Sequence, residues 1–484
     1  MSGFTAGESE DFRLNQLIIN ALTREKRVVL VKDGKIDRLS ISQPQQLSNI
    51  GNIYWGTVVK VLPGMNAAFV DIGNGMSGYL HRNKLPGYLQ HDKSISHYLH
   101  QGEKIMVQIE KDATGIKKPR LSAIIELSGE YLIYMPSGRY VAVSKKMTDT
   151  EQRDFWRKTG QEWKKEEEGL IFRTACEAAN TAEIEAELGE LRLQYEVLKK
   201  KAIHAAKPQT IYQHDHFLAS ITELIKKQRI DEIIIDEKNY YQRLKKKFPE
   251  AKLLFYQEKN PLFSEYHLEH ELEKVCKRIV WLKNGAYLVF DEAEALTVID
   301  VNTGKYSGKR QLADTVRKTN KMAALEAARQ IRLRDLAGMI LIDFIDMEEE
   351  RDRRYISSVF QQALQEDDRQ KKIIGFTPLG ILQLTRKKTK VSILETTTDI
   401  CPTCAGTGHV KSAETAAFQL ERELFQYRGS DAEKIHIQAT EDVINAFCGA
   451  DNFFKKDFEA YLGIKLVFFP YASPKPAYLI GRVI

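Results

Sequence analysis

Two short apolar segments of this 484-residue chain each contain an aspartate where a strand inside a sheet is usually hydrophobic. In L-T-V-I-D-V-N-T-G, the two-residue period of a strand places Asp300 and Asn302 on one face, and Gly304 can end the strand. In M-I-L-I-D-F-I-D-M, Asp343 interrupts a run so apolar that it predicts a central strand covered on both faces. The chain therefore predicts buried carboxylates, which must be paired or must bind a metal.

These side chains form a set of hard oxygen ligands. Two carboxylates and an amide suit Mg²⁺ or Mn²⁺, and Mg²⁺ usually takes one or two carboxylates besides water and phosphate. Asp346 would point to the other face from Asp343 if the strand continued, so it ranks second as a ligand. The alternative is that the acids are solvated strand ends or salt bridges to Arg332 and Arg334.

Composition limits the classes of protein to consider. The length predicts roughly three domains with real cores. The net charge of +6 is a mild excess, but Lys and Arg are clustered in ways that suit phosphate, at 117–120, 199–201, 245–247 and 386–390. The N-terminus is polar and acidic, unlike a signal peptide, and no apolar run reaches the roughly 18 residues of a membrane span. Only five cysteines occur, which predicts a reducing compartment and hence a cytoplasmic protein.

Residues 51–126 predict a five-stranded barrel of the OB type, because short strands follow one another between turn residues. Strand alternation places Phe69 and Tyr79 on the solvent face, near the basic Lys117 and Lys118. Aromatic rings beside positive charge bind single-stranded nucleic acid by stacking, at about 1–3 kcal/mol per base. The alternative is that both rings belong to the core of a small barrel.

Cys401 and Cys404 form a C-x-x-C pair followed by small residues, the pattern of a knuckle that wraps zinc. Structural zinc needs four ligands, and a zinc knuckle would continue past His409 to a cysteine where this chain has Glu414. A tetrahedral site is completed most economically by both cysteines from each of two chains. We therefore predict one structural Zn²⁺ shared by a homodimer, with a redox-active pair as the alternative.

Several long motifs resemble those of the ribonuclease E/G family. They are V-I-D-V-N-T-G, R-Q-I-R-L-R-D-L-A-G-M-I-L-I-D-F-I-D-M, G-F-T-P-L-G-I-L-Q-L-T-R-K-K-T and C-P-T-C-A-G-T-G, in the order and spacing of that family. The resemblance also includes the N-terminal motif G-N-I-Y-W-G-T-V-V-K-V-L-P-G-M-N-A-A-F-V-D-I-G, so it spans nearly the whole chain. In overall length the chain is more similar to those members of the family that lack a long disordered C-terminal tail. The chain departs from the family pattern at Tyr79, at Ile133 and in T-N-K-M-A-A, which replaces T-N-x-E-A near the site.

The resemblance implies a multidomain protein of α/β and α+β domains. It implies an RNase H-like domain with an inserted OB-fold barrel of the ribosomal S-one type, a sensor for the RNA 5′ end, a DNase I-like catalytic domain, a zinc link and a small dimerising α+β domain. We place the RNase H-like domain at 1–47 and 212–280, the barrel at 48–128, the sensor at 129–211, the catalytic domain at 281–398, the zinc link at 399–413 and the small domain at 414–484.

The resemblance also implies roles for single residues. Asp300 and Asp343 match the Mg²⁺ ligands, and Asn302 matches a supporting polar residue of the catalytic site. A terminal phosphate suits an Arg fork, a hydroxyl and a backbone amide. The positions that match the 5′-phosphate sensor are Gly129, Ile133, Arg173 and Thr174. The RNA-gripping positions of the barrel match Phe69, Tyr79 and Lys117.

The predicted function is a Mg²⁺-dependent endoribonuclease for single-stranded RNA, active in rRNA maturation and mRNA turnover. We expect stimulation by a 5′-monophosphate, and products with 5′-phosphate and 3′-hydroxyl ends. Residues 281–398 contain no histidine, which favours metal-activated water over histidine acid–base catalysis. The alternatives are a non-catalytic RNA-binding scaffold and a DNA nuclease with the same metal chemistry. The zinc-linked dimer or a tetramer remain open as assembly states.

Overall fold

The computed structural model describes residues 14–44, 48–86, 93–113, 117–304 and 312–484. The chain divides into two compact units, one that ends at Ile393 and one that begins at Leu394. This division lies a few residues before the predicted border at residue 398. Within the described ranges, no helix is long and apolar enough to cross a membrane.

The chain begins with three antiparallel strands. Asp33 and Gly34 have positive φ angles of 49° and 71° and form the two-residue hairpin turn between the second and third strands. The strands are β1 (Gln16–Asn20), β2 (Lys26–Lys32) and β3 (Lys35–Ser42).

A closed barrel follows. Its strands are β4 (Ile53–Leu62), β5 (Ala67–Gly73), β6 (Met76–His81), β7 (Lys104–Lys111) and β8 (Arg120–Ser122). The order β4-β5-β6-β8-β7 closes because β7 pairs back to β4. Alternate residues of β5 and β6, including Val70, Ile72 and Leu80, fill the interior. The closed five-stranded barrel confirms the OB-type prediction.

The next segment builds a small sheet with two helices. Its elements are β9 (Leu127–Ser128), β10 (Leu132–Met135), β11 (Val141–Val143), α1 (Thr150–Trp163), β12 (Gly169–Phe172) and α2 (Thr181–Ile203). The strand order is β11-β12-β10-β9. Trp156 of α1 and Leu188 of α2 pack with Phe172 in one core, so both helices are held against this sheet.

The chain then returns to the first sheet. The elements are β13 (Gln209–Tyr212), α3 (His216–Lys227), β14 (Glu232–Ile235), α4 (Lys238–Lys247), β15 (Leu253–Phe255), α5 (Leu262–Glu265) and α6 (Leu268–Val275). β13 pairs with β4 of the barrel, whereas β14 pairs in parallel with both β1 and β15. The resulting sheet has the order β15-β14-β1-β2-β3. The barrel and the small sheet are therefore inserted between two parts of one sheet.

A six-stranded mixed sheet carries the two acidic strands. Its elements are β16 (Ile279–Trp281), β17 (Tyr287–Glu292), β18 (Leu296–Asn302), α7 (Leu312–Leu333), β19 (Gly338–Asp343), α8 (Glu350–Ala363), β20 (Lys371–Phe376) and β21 (Ile381–Arg386), followed by α9 (Ile393–Thr397). The order is β16-β17-β18-β19-β21-β20. Ile299 and Ile342 pack against α7 and α8, but Met339 on the opposite face is 49% exposed. The prediction that this strand is covered on both faces is therefore wrong.

The second unit is a small α+β fold, as predicted. After α9, its elements are α10 (Ala413–Leu424), β22 (Lys434–Ala439), α11 (Glu441–Cys448), α12 (Phe453–Leu462), β23 (Lys465–Pro470) and β24 (Tyr478–Val483). The sheet has the order β23-β22-β24, with β22 and β23 parallel. Leu420 and Leu424 of α10 pack with Ile435 and Ile437 of β22 in its core.

Candidate functional site

Asp300 and Asp343 lie side by side at the ends of two neighbouring strands. β18 and β19 run parallel, and the register pairs Asp300 directly with Asp343. Parallel neighbours lie about 4.8 Å apart, and paired residues point to the same face. That face is the one opposite α7 and α8, and both aspartates are exposed there. The prediction of buried carboxylates is therefore wrong, because the helices cover only the other face of this sheet.

Asn302 shares this face with Asp300, as strand alternation predicted. Its Nδ2 donates a hydrogen bond of 2.7 Å to Oδ2 of Asp300, which fixes the orientation of the carboxylate. Gly304 follows with φ of +62°, and a Cβ there would collide with the carbonyl oxygen of Gly285. Glycine is thus required where the chain leaves the site. The segment that follows, up to residue 311, lies outside the described residues.

Asp346 belongs to the same electrostatic environment. Desolvation raises the pKa of Asp343, and the charges of Asp300 and Asp346 raise it further. The argument against Asp346 assumed that the strand continues, but β19 ends at Asp343. Strand parity therefore no longer argues for ranking Asp346 below Asp343 as a ligand, and the ranking stays a prediction.

The alternative reading of the acids as partners of Arg332 and Arg334 is wrong. Arg332 donates to Asp37 at 2.7 Å and to the carbonyl oxygen of Ala363. Arg334 donates to Gln330 and to the carbonyl oxygen of Lys277. Both guanidinium groups are held by other acceptors, whereas the exposure of Asp300 and Asp343 near the ends of their strands agrees with the other part of that alternative, solvated strand ends.

Two buried polar residues of α7 hold loops of the six-stranded sheet, and sequence reasoning missed both. Asn320 is fully buried; its Nδ2 donates to the carbonyl oxygen of Ile345 at 2.8 Å, and its Oδ1 accepts from the Ile345 amide at 3.1 Å. Thr319 accepts a hydrogen bond of 3.0 Å from Asn284 in the turn before β17. A Thr-Asn pair inside an Ala-rich helix was the available signal, because buried polar groups need partners.

The donor set at this edge fits Mg²⁺ better than a metal that needs a complete protein cage. Within the described ranges, no three His, Cys, Asp or Glu side chains are grouped as a complete metal site. Mg²⁺ needs fewer protein ligands, because it usually keeps several waters and binds one or two carboxylates together with substrate phosphates. Asp300 and Asp343 provide those carboxylates on an exposed face.

The barrel presents an aromatic surface with a cation beside it. Phe69 and Tyr79 are half-buried on the outer face, so the reading of both as core residues is wrong. Their ring centroids are 6.1 Å apart, and the ring of His81 stacks 6.5 Å from Tyr79. Nζ of Lys118 lies 4.8 Å from the centroid of Phe69. Lys117, the other predicted cation, is exposed.

The predicted 5′-phosphate residues lie around the start of the small sheet. Nη1 of the exposed Arg173 donates to the carbonyl oxygen of Gly129 at 2.7 Å. The hydroxyl of Thr174 lies 3.2 Å from the hydroxyl of Ser144. Ile133 is half-buried in β10, where it pairs with Ile171 of β12. The structure therefore brings Gly129 and Arg173 into direct contact.

Cys401 and Cys404 lie in a turn of the second unit, and all five cysteines are free thiols. The pKa of the Cys401 thiol is lowered by hydrogen bonds from the Cys404 and Thr403 amides. Amide donors stabilise a thiolate, the form in which cysteine binds metal. Thr407 closes the turn by donating through its hydroxyl to the carbonyl oxygen of Cys404 at 2.7 Å.

Comparison with known proteins decides the family. A sequence model of the Ribonuclease E/G family matches residues 126–389, more than half of the chain. The chain belongs to the ribonuclease E/G family. A model of the S1 RNA binding domain matches residues 48–123, which coincide with the barrel.

Similar proteins cover nearly the whole chain. Ribonuclease G of Escherichia coli (strain K12) is 34% identical over 469 residues, which are 93% of this chain and 95% of that protein. Ribonuclease G of Haemophilus influenzae is 33% identical over 428 residues, 85% of this chain and 87% of that protein. Ribonuclease E of Escherichia coli (strain K12) is 30% identical over 425 residues, 84% of this chain but 40% of that protein. The chain is an endoribonuclease of this family, and the reading as a non-catalytic scaffold is set aside.

Proposed function

We propose that this member of the family is a Mg²⁺-dependent endoribonuclease that cuts single-stranded RNA in RNA processing and decay, including rRNA maturation and mRNA turnover. The observation that carries the proposal is the parallel pairing of Asp300 with Asp343 on an exposed face. The proposal includes stimulation by a 5′-monophosphate. It also includes cleavage that leaves 5′-phosphate and 3′-hydroxyl ends.

Asp300 and Asp343 would hold the metal, and Asn302 would keep the Asp300 carboxylate in a fixed orientation through its bond to Oδ2. A bound Mg²⁺ supplies a more acidic water and neutralises charge on the attacked phosphate. Attack of water on phosphorus with departure of the 3′ oxygen gives the proposed ends. Asn320 fixes the backbone two residues beyond Asp343, which would help to keep the Asp343 carboxylate in a constant position for the metal.

The barrel would hold unpaired RNA. Bases can stack on the half-buried rings of Phe69 and Tyr79, while Lys118 and the exposed Lys117 attract the backbone phosphates. Paired bases do not offer their faces in this way, which supports a preference for single strands. The 5′ end would be bound by Arg173 and Thr174, beside Gly129 and Ile133.

The proposal also includes a structural zinc and an assignment of the domains. Cys401 and Cys404 would supply two thiolates to a Zn²⁺ completed by a second chain, giving a homodimer or a tetramer of two such dimers. The sheet β15-β14-β1-β2-β3 would be the RNase H-like domain, and the six-stranded sheet the DNase I-like catalytic domain. The segment from β9 to α2 would be the 5′-end sensor.

The test is cleavage of a 5′-monophosphorylated single-stranded RNA by Asp300→Asn and Asp343→Asn. We expect the rate to fall by roughly two orders of magnitude or more, since the metal contribution is several kcal/mol. Binding of the RNA should be retained or improved, because a negative charge is removed. Glu294→Gln, an exposed acid before β18, is the matched control and should cleave normally.

Three outcomes would contradict the proposal. Normal rates in either aspartate variant at low Mg²⁺ would remove the acids from catalysis. Equal rates with and without Mg²⁺ would remove the metal. Equal cleavage of a matched single-stranded DNA would favour the DNA nuclease alternative.

A further inference from the structure

The first turn of the small sheet, residues 129–132, is held by a carboxylate that no prediction included. We call these residues the sensor loop. Glu187 of α2 accepts hydrogen bonds from three consecutive amides of this loop: Glu130, Tyr131 at 2.9 Å and Leu132 at 3.1 Å. Successive amides that converge on one point form an anion-binding nest. In this structure the anion is a side chain of the protein itself.

The glycine of the sensor loop makes this contact possible. A Cβ at Gly129 would collide with the carboxylate of Glu187. The φ of Gly129 is not positive, so the backbone conformation alone does not require a glycine there. The close approach of Glu187 is therefore a physical reason for glycine at this position, independent of any contact with RNA.

The sensor loop is tied down on two further sides. The carboxylate of Glu130 forms an ion pair with Lys226 of α3. Arg173, at the end of β12, donates through its backbone amide to the carbonyl oxygen of Tyr131 at 2.7 Å and through Nη1 to Gly129. The ion pair with Lys226 partly neutralises the charge of Glu130. The Arg173 guanidinium is exposed, so a ligand can reach it.

We propose that Glu187 is the positioning residue of the 5′-end site: it fixes the sensor loop so that the Gly129 carbonyl orients the Arg173 guanidinium toward a terminal phosphate. This inference rests on the proposed 5′-end sensor. Glu187 does not touch the phosphate in this arrangement. It acts through the loop backbone and Arg173, as outer partners orient the ligands of a site.

The proximity of a carboxylate to a phosphate site allows an opposite role, in which Glu187 blocks the nest and competes with the incoming phosphate. The contacts favour positioning, because Glu187 accepts hydrogen bonds from three consecutive amides of the sensor loop, and a buried amide that loses its acceptor costs free energy. Gly129 also uses its own amide within the loop, donating to the Leu132 carbonyl oxygen at 2.8 Å. Displacement of Glu187 would thus loosen the loop that holds Arg173.

The experiment compares the cleavage rates of one single-stranded RNA carrying either a 5′-monophosphate or a 5′-hydroxyl. Glu187→Ala should lower the ratio of these rates by about tenfold, the usual effect of losing an outer partner, while the 5′-hydroxyl rate stays within about twofold. Glu187→Gln should give an intermediate ratio, because its single carbonyl oxygen can still accept from the loop. Glu190→Gln, an exposed acid on the same helix, is the matched control and should leave the ratio unchanged.

A double variant separates positioning from a general structural role. If Glu187 acts through Arg173, adding Glu187→Ala to Arg173→Ala should not lower the ratio further. An unchanged or increased ratio in Glu187→Ala, with preference lost in Arg173→Ala, would overturn the role of Glu187 and leave the sensor intact. A wild-type enzyme that cleaves both substrates equally would overturn the sensor itself and this inference with it. If Glu187→Ala and Glu187→Gln each lowered the 5′-monophosphate rate and the 5′-hydroxyl rate by the same factor, the positioning role of Glu187 would also be overturned.

Discussion

Replacement of the buried Asn320 by leucine is expected to loosen the backbone that follows β19, the strand that ends at Asp343. Asn320 is fully buried in α7 and makes two hydrogen bonds to Ile345, of 2.8 and 3.1 Å. Leucine has a similar size, so Asn320→Leu removes both bonds without leaving a large cavity. Asp343 and Asp346 lie on either side of Ile345, so the change acts on the acidic edge without altering any acid.

The expected magnitude follows from the groups left without partners. A hydrogen bond contributes about 1 kcal/mol net, and a buried group left unsatisfied costs about 1–3 kcal/mol. Ile345 is half-buried, so water can reach part of its backbone, and we expect a local loss of about 2–4 kcal/mol. Asn320→Asp should be at least as damaging, because it keeps the acceptor, loses the donor and buries a charge.

Hydrogen exchange of the segment around Ile345 measures this loss directly, because exchange reports the free energy of local opening. A loss of 2–4 kcal/mol corresponds to exchange that is about 30- to 1,000-fold faster. Cleavage should fall by about 10- to 100-fold with RNA affinity unchanged. Lys318→Gln, at an exposed position of the same helix, should change neither. Unchanged exchange and unchanged cleavage in Asn320→Leu would refute the reasoning.

Three further changes test other parts of the protein. Asp346→Asn should reduce cleavage less than Asp343→Asn, and the reverse order would make Asp346 the more important ligand. Burial alone would raise the pKa of Asp367, but hydrogen bonds of 2.7 and 2.9 Å from Arg386 lower it below its ordinary value. The pair of Asp367 and Arg386 therefore stabilises the fold fully above pH about 4, the ordinary pKa of an aspartate. This stabilisation is lost as the pH falls through the lowered pKa of Asp367. Asp367→Asn should therefore cost about 3 kcal/mol at neutral pH and flatten the acid limb of the stability curve; equal stability at neutral pH would contradict this. Cys401→Ala should release zinc and weaken self-association, and native mass spectrometry that shows one zinc per monomer, or a stable zinc-free dimer, would contradict the shared site.

Local periodicity was sufficient for much of the fold. Strand alternation correctly placed the rings of Phe69 and Tyr79 on the outer face of the barrel, and the structure shows Val70 and Ile72 in its core. It also placed Asp300 and Asn302 on one face, because neighbouring side chains of a strand alternate regardless of what the strand packs against. Long motifs with a constant order identified the family before any contact was known.

The sequence by itself determined the identity of the side chains, their local faces and the family to which the chain belongs. Only the tertiary structure decided that Asp300 pairs with Asp343 in parallel register, that their face is exposed and that Asn320 supports it. The same holds for Glu187, whose partners in the sensor loop lie more than fifty residues away in the chain. The reason is physical: a two-residue or 3.6-residue period is set by the local backbone, whereas register, the side on which helices pack and bonds between distant segments depend on how the whole chain folds back on itself.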